Sequence, residues 1–339
     1  MKKQALNPFL PSWEYIPDGE PHVFDGRVYL YGSHDYFRGY VYCMGDYTCW
    51  SAPVSDLSDW RCEGIIYRRE QDPRNRDGRM TLFAPDVAKG SDGRYYLYYI
   101  PNASPVVSVA VCDTPAGHYE FYGFVHYSDG TLLGERDGDD PQFDPGVFRE
   151  GNMTYLYTGF CMPDDTVRKG CTVTVLAEDM LTIIREPETI APGLCRAKGT
   201  SFEAHAFFEA PSLRKREDLY YLIYSSVYNH ELCYATGISP LGPFTCQGVI
   251  IDNCDVGIDS YKPADRKIAM HCNNHGSFTA IGDKWYMFYH RSTNGTQFSR
   301  QACAEEIHFD ENGLIPQVCV TSGGLNGGPL SCGIYYDAY

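Results

Sequence analysis

Five stretches of this chain are variants of one tyrosine-rich segment. They are Val28-Tyr29-Leu30-Tyr31, Tyr95-Tyr96-Leu97-Tyr98-Tyr99, Thr154-Tyr155-Leu156-Tyr157, Tyr220-Tyr221-Leu222-Ile223-Tyr224 and Trp285-Tyr286-Met287-Phe288-Tyr289. Such runs of aromatic and β-branched residues favour strands. Most follow a turn of hairpin chemistry, among them Asp25-Gly26-Arg27, Asp92-Gly93-Arg94, Glu150-Gly151-Asn152 and Gly282-Asp283-Lys284, while Arg216-Glu217-Asp218 holds the same place before the fourth. With Tyr29, Tyr96, Tyr155, Tyr221 and Tyr286 taken as equivalent, the spacings are 67, 59, 66 and 65 residues. A unit of that length holds four short strands and their turns, and five units use nearly the whole chain. The expected fold is therefore all-β, a single five-bladed β-propeller over residues 1–339. A (β/α)₈ barrel would need eight helices, and no sustained apolar pattern of period 3.6 supplies them. Asp113-Thr114-Pro115-Ala116-Gly117 and Ser239-Pro240-Leu241-Gly242-Pro243-Phe244 read as matching turns between outer strands.

The charge excludes several partners. Lys and Arg number 28 against 44 Asp and Glu, a formal net charge of −16. A surface this acidic repels phosphate backbones and anionic headgroups, so neither nucleic acid nor a membrane surface is expected as a partner. No apolar run approaches the roughly 20 residues of a membrane span. Two lysines near the N-terminus are followed by Asn7-Pro8 and not by an apolar signal core. The 14 cysteines are scattered without a Cys-x-x-Cys pair, which points to reduced, mostly buried thiols in a cytoplasmic protein.

Upstream of each aromatic strand lies a short segment expected to be the innermost strand of its blade. These carry Glu20, Asp86, Asp144, Glu209 and His275, at 9, 10, 11, 12 and 11 residues before the reference tyrosines. Innermost strands line a propeller's axis, so four carboxylates and a histidine are expected at one mouth of the channel. An acid beside a proline is commonly no more than a turn residue, but like charges gathered on an axis raise one another's pKa. The grouping suits acid–base chemistry on a bond held between two carboxyls, above all glycoside hydrolysis.

These residues resemble glycoside hydrolase family 43 along the whole chain. The carriers are Phe83-Ala84-Pro85-Asp86-Val87, Phe143-Asp144-Pro145-Gly146-Val147-Phe148, Phe208-Glu209-Ala210-Pro211-Ser212, His275-Gly276-Ser277-Phe278 and Tyr289-His290-Arg291, with Tyr29-Leu30-Tyr31-Gly32-Ser33-His34-Asp35 and the late Ile307-His308-Phe309 segment. The resemblance implies a five-bladed propeller that releases arabinose or xylose with inversion, acts on oligosaccharides and uses no organic cofactor. It implies Glu209 as general acid and Asp144 as the carboxylate that tunes it. At the base position the family has Asp directly before Pro, whereas this chain has Glu20-Pro21 with Asp18 two residues earlier. Glu20 is the expected base, read as in register with Asp144 and Glu209, and Asp18 is expected to be a turn residue close to the substrate. Asp86 matches a position that shapes the sugar site, and Arg291 is expected to reach the sugar or an axial carboxylate. His275 matches a histidine that in many members faces a cation, so it reads as a ligand of a structural calcium or as a hydrogen-bonded channel histidine. Phe83, Phe208 and Trp13 are candidate stacking faces.

The run Gly323-Gly324-Leu325-Asn326-Gly327-Gly328 lacks the strand-to-helix context of a phosphate loop and reads as a C-terminal loop. Residues 68–79 read as a solvated loop on the pocket rim. Two other functions stay open at this point: a glycoside phosphorylase, which needs a basic phosphate pocket, and a sugar-binding propeller without catalysis.

Overall fold

The computed structural model of the protein describes residues 5–260 and 262–326. Each tyrosine-rich segment is the second strand of an antiparallel sheet. Blade 1 is β1 (Glu20–Phe24), β2 (Arg27–Tyr31), β3 (Tyr47–Pro53) and β4 (Arg61–Tyr67); blade 2 is β5 (Asp86–Lys89), β6 (Tyr95–Tyr99), β7 (Ser108–Cys112) and β8 (Glu120–Phe124). Blade 3 is β9 (Gly146–Glu150), β10 (Met153–Thr158), β11 (Gly170–Leu176) and β12 (Ile183–Pro192). After a single helical turn, α1 (Leu194–Ala197), blade 4 follows with β13 (Phe207–Arg216), β14 (Leu219–Ser226), β15 (Glu231–Gly237) and β16 (Thr245–Asp252). Among the described residues blade 5 has three strands, β17 (Phe278–Ile281), β18 (Lys284–Ser292) and β19 (Arg300–Ile307). The protein is a five-bladed β-propeller. Its N-terminal segment runs beside β19, where the Phe9 N–H donates to the Ala302 carbonyl and the Asn7 side chain brackets the N–H and carbonyl of Ala304.

Five apolar clusters hold the ring, and each joins two neighbouring blades. One, for example, packs Tyr155, Tyr157 and Val173 of blade 3 against Leu213, Leu222 and Tyr224 of blade 4. The hydroxyls explain why tyrosine and not phenylalanine recurs. Tyr31 donates to the Pro115 carbonyl, Tyr98 to that of Met180 and Tyr157 to that of Pro240, each at 2.7 Å. In every case the acceptor lies in the outer turn of the next blade, so the ring is buried in the interface and its polar tip ties down the neighbour.

Register fixes the depth of each axial residue. Four blades have two-residue hairpins between first and second strands; in blade 1 both turn residues, Asp25 and Gly26, have positive φ (47° and 76°), the type I′ geometry that matches strand twist. Tyr29, Tyr155, Tyr221 and Tyr286 pair with His22, Phe148, Arg214 and Thr279. Two residues earlier, Glu20, Gly146, Ser212 and Ser277 therefore share one level, and the Ser212 hydroxyl reaches both Glu20 Oε2 (3.0 Å) and Ser277 Oγ (2.9 Å). Asp18, Asp144 and His275 stand two residues earlier still, about 6–7 Å further along the axis. Glu209 joins them because β13 carries a bulge: Glu209 pairs with Ser225 and Ser212 with Ile223, so one extra residue is absorbed, with Ala210 at φ 63°. Glu20 is thus level with Gly146 and not with Asp144, which corrects the expected register.

Each of Tyr31→Phe, Tyr98→Phe and Tyr157→Phe removes one buried hydrogen bond between blades and should cost about 0.5–1.5 kcal/mol, with nearly additive losses because the three sites are far apart. Denaturant melts of the single and triple variants measure this; a triple variant as stable as wild type would show that the hydroxyls do not tie the blades.

Candidate active site

At the end of the axis where the inner strands begin lies a pocket of about 260 Å³. Asp18, Asp144 and Glu209 line it, with Phe83, Phe143, Phe160 and Phe208 along its wall and Tyr42, Asn229, Asn273 and Arg300 around them. Successive ring centroids along the wall are 5.2, 4.9 and 5.2 Å apart, from Phe83 through Phe143 and Phe160 to Phe208. Two further depressions, of about 370 and 580 Å³, share Phe83 with it.

The carboxylates sit where each chain enters its inner strand. Asp18 and Asp144 both have left-handed backbone, φ 57° and 44°, a conformation Asp tolerates better than most residues and one that clusters at functional sites. Asp18 is not a turn residue capping its own backbone. It accepts from Arg300 Nη1 at 2.8 Å and from the Ser33 hydroxyl, while its N–H donates to His290 Nδ1 at 3.1 Å. Arg300, almost entirely buried, also holds Asp35 through Nε (2.8 Å) and Nη2 (3.0 Å) and lies over the Tyr42 ring at 4.7 Å.

This arrangement drives the carboxyls apart. Burial pushes Asp18 up, but the Arg300 guanidinium, with His275 and the hydrogen bond from the Ser33 hydroxyl, more than offsets it and holds the group below the ordinary carboxylate range. Glu209 has burial against it and then the charge of Asp144, and its pKa is pushed up to about 8. Burial also raises Asp144, while His275 opposes the shift. His290 is driven down to about 3, chiefly by burial, and so is neutral. The site pairs an ionised Asp18 with a protonated Glu209 at neutral pH, the division of labour that acid–base catalysis requires.

The other expected site residues fall elsewhere. Glu20 is outside the pocket lining: its Oε2 accepts from Arg214 Nη2 at 2.6 Å, one level below the site. Asp86 is also outside the lining and fully buried, accepting from the Val87 and Val147 N–H groups and lying 2.6 Å from His22 Nε2. Phe83 and Phe208 line the pocket as expected, whereas Trp13 is two-thirds exposed and packs on Trp50. Arg291 is absent from the lining because neighbouring strand residues point to opposite faces: His290 turns to Asp18, so Arg291 turns away, toward Cys303. The cation that serves the site is Arg300, which the sequence reading did not find.

His275 stands between two carboxylates. Its Nε2 is 3.5 Å from Glu20 Oε1 and its Nδ1 is 3.6 Å from Asp144 Oδ2. Among the described residues, three clusters bring His, Cys or acidic ligand atoms within 4.8 Å of one another, and His275 belongs to none of them. Calcium takes about six to eight oxygen ligands converging on one point. Here the oxygens face opposite edges of the ring, so as placed these residues form no calcium cage.

Of the glycine run 323–328, Gly324–Asn326 form a 3₁₀ turn and Asn326 Oδ1 accepts from the Ala5 N–H, while Gly327 and Gly328 lie outside the described residues. In the 68–79 loop Asp72 is buried and accepts from the Tyr99 and Ser108 hydroxyls, and Arg69 and Arg79 line the largest of the neighbouring depressions. The loop is anchored further by Arg69 on Asp46, Gln71 on the Tyr119 carbonyl and the buried Asn75 on the Met80 backbone, and it borders the pocket rim.

Glu209 binds its proton more tightly folded than unfolded. Its contribution to stability is complete below about pH 4.5 and is lost as pH rises towards about 8. Glu209→Gln should therefore raise Tm by several degrees at pH 8 and leave it unchanged at pH 4. Thermal melts across that range test the sign; a variant less stable than wild type at pH 8 would contradict the burial of a protonated acid.

A family model described as glycosyl hydrolases family 43 matches residues 6–315. A xylosidase/arabinosidase of Thermoclostridium stercorarium is 61% identical over 339 residues, all of this chain and 72% of that protein. A xylosidase/arabinosidase of Bacteroides ovatus is 28% identical, over 91% of this chain and 96% of that one. Among solved structures, a beta-xylosidase/alpha-arabinofuranosidase from a compost microbial metagenome, in complex with xylotriose and in a calcium-free form, superposes with a TM-score of 0.72 at 26% identity, covering 93% of this chain and 98% of the other. With its five blades, its axial carboxylates and a match that spans all of them, the chain belongs to glycosyl hydrolase family 43 and is a glycoside hydrolase.

Proposed function

We propose that the protein is an exo-acting, inverting hydrolase that releases a single pentose, xylose or arabinose, from plant-derived oligosaccharides, with Asp18 as general base, Asp144 as the carboxylate that tunes the acid and Glu209 as general acid. The observation that carries the assignment is the opposed protonation of Asp18 and Glu209 in one pocket. The names of the relatives support the choice of sugar, and the pocket's floor, closed by the Glu20 level, supports attack at a chain end.

The chemistry balances with these residues alone. Glu209 gives its proton to the departing glycosidic oxygen as that bond breaks. Asp18 takes a proton from the water that attacks the anomeric carbon from the opposite face, so the product sugar has inverted configuration. Asp18 then passes its proton to solvent and Glu209 regains one, which restores the site. Asp144 keeps Glu209 protonated until the leaving oxygen demands the proton. The Asn229 Oδ1, buried and without a hydrogen-bond partner, is an acceptor for a sugar hydroxyl. No step is assigned to a metal, because the groups around His275 do not converge, and none to an organic cofactor.

Two observations favour hydrolysis over the alternatives. Arg300 is the one cation among the described pocket residues, and its five N–H donors are already taken by Asp35 (Nε and Nη2), Asp18 and Asn273 Oδ1 (Nη1) and Cys43 Sγ (Nη2), leaving none for phosphate. A binding protein without catalysis has no use for an acid held near pH 8 at the cost of stability. A cytoplasmic location belongs to the same proposal, on the ground that the thirteen described cysteines are all free thiols.

Glu209→Ala should slow hydrolysis of unactivated xylo-oligosaccharides by about 10²- to 10⁴-fold, with a smaller loss on nitrophenyl pentosides, whose phenolate departs without a proton. Wild-type kcat should fall above about pH 8, where Glu209 ionises, and the variant should lack that limb. Asp18→Ala, checked for folding by its melt, should be inactive and partly rescued by azide, giving a glycosyl azide of inverted configuration. Equal losses on both substrates, or no rescue of a folded Asp18→Ala, would remove these roles.

A further inference from the structure

We infer that Glu20 is a positioning residue: from one level below the pocket it holds His275, and through His275 it fixes Asp144 in the place from which Asp144 acts on Glu209. The inference rests on the reading of Glu209 as the acid.

The observations form one chain of contacts along the axis. Arg214 is anchored at Nε to the Phe278 carbonyl (3.1 Å) and at Nη1 to the Leu213 carbonyl (2.9 Å), and its remaining nitrogen, Nη2, donates to Glu20 Oε2 at 2.6 Å. The Ser212 hydroxyl donates to the same oxygen. Glu20 is therefore held at one oxygen, while Oε1 is buried with no hydrogen bond and faces His275 Nε2 at 3.5 Å. The other edge of the ring faces Asp144 Oδ2 at 3.6 Å. An imidazole with an acidic oxygen at each nitrogen can present N–H to both only in this one orientation. The contacts alternate in sign: guanidinium, carboxylate, imidazole, carboxylate.

A buried carboxylate that served only to pair with Arg214 would be a poor device for stability, because apolar replacement of both partners is often neutral or favourable. The free Oε1, aimed at the ring that touches Asp144, gives Glu20 a second task. The same placement explains why it lies on the axis yet outside the pocket: the base, Asp18, reaches the pocket from two residues earlier, and Glu20 reaches it only through His275. Loss of Glu20 lets the ring turn, and Asp144 then loses its fixed distance to Glu209, a kind of misplacement that costs up to about 10²-fold in rate.

The test is a double-mutant cycle on the full chain with xylobiose and a nitrophenyl xyloside. Glu20→Ala should lower kcat about 10- to 100-fold on xylobiose, less on the nitrophenyl substrate, with KM within about twofold of wild type on both. Because the effect passes through Glu209, adding Glu20→Ala to Glu209→Ala should cost nothing further, whereas a merely structural role predicts that the two losses multiply. Multiplying losses, or wild-type kcat in Glu20→Ala, would overturn the inference. Azide rescue of Glu20→Ala would overturn it differently, by making Glu20 the base, and Glu209→Ala measured alone tests the acid assignment separately. If chelation lowers wild-type activity and calcium restores it, a cation and not Glu20 governs His275, and the inference fails. Should Glu20→Ala not fold, Glu20→Gln keeps the volume and enters the same cycle.

Discussion

Arg300 has almost no contact with solvent, and among the described residues its charge is met by Asp18 and Asp35 alone. Burying a guanidinium costs several kcal/mol unless its partners are in place, and removing one partner of such a group typically costs about 3–5 kcal/mol. The partners belong to the first blade and its entry segment, while Arg300 opens the last strand of the fifth. The triad therefore spans the seam where a closed ring must join its two ends. The N-terminal segment covers the same seam through Asn7 and Phe9, and an apolar cluster that includes Phe9, Ile16, Trp50 and Phe288 fills it. Closure of the propeller and assembly of the base are thus one event: a ring that failed to shut would leave Asp18 without its cation.

Placement of that cation also decides which carboxyl is the acid. All three pocket carboxyls are nearly buried, and burial by itself would protonate each of them. Arg300 contacts Asp18 directly and brings it below its ordinary value, whereas Glu209 has no direct cation and faces Asp144. His290 adds no second charge beside Asp18. Its Nδ1 accepts the Asp18 N–H and its Nε2 donates to the Asn273 carbonyl at 2.8 Å, so both ring nitrogens are used by the neutral form. One guanidinium on one side of the pocket yields an ionised base and a protonated acid in the same lining.

The five-fold tyrosine repeat was enough to read the blades, because each tyrosine serves the same interface and leaves the same signal at every repeat. Depth along the axis was harder. The distance to the reference tyrosine is 11 residues for Asp144, for His275 and also for Asp18, but 9 for Glu20. That spacing contains the correct register, and the Glu20-Pro21 pair that matches the family's acid-before-proline pattern lies two residues deeper. Glu209, at 12, breaks the count because of a bulge that no composition signal announces. Arg300 was illegible for a different reason: it opens the third strand of its blade, away from the inner strands, and reaches the pocket through its long side chain, which bonds Asp18 and Asp35. Asp86 satisfied the pattern and missed the pocket, since blade 2 has a five-residue turn where the other hairpins have two.

The same register explains why the axis ends in a pocket and does not run on as an open channel. At the level of Asp18 and Asp144 the chains have left-handed backbone and diverge, which leaves room for a ligand. One level down, the inner positions are Gly146, Ser212 and Ser277, and neighbouring blades close in: a Cβ on Gly146 would stand 2.1 Å from the Pro211 carbonyl oxygen of the next blade. An axis that admits no methyl group at Gly146 still admits Glu20, held by Arg214 and Ser212 across the narrowed ring. The charged side chain at the constriction and the missing side chains around it are two faces of one packing solution. It seals the floor beneath the carboxylates, keeps them out of bulk water and, by doing so, sustains the desolvation that holds Glu209 protonated.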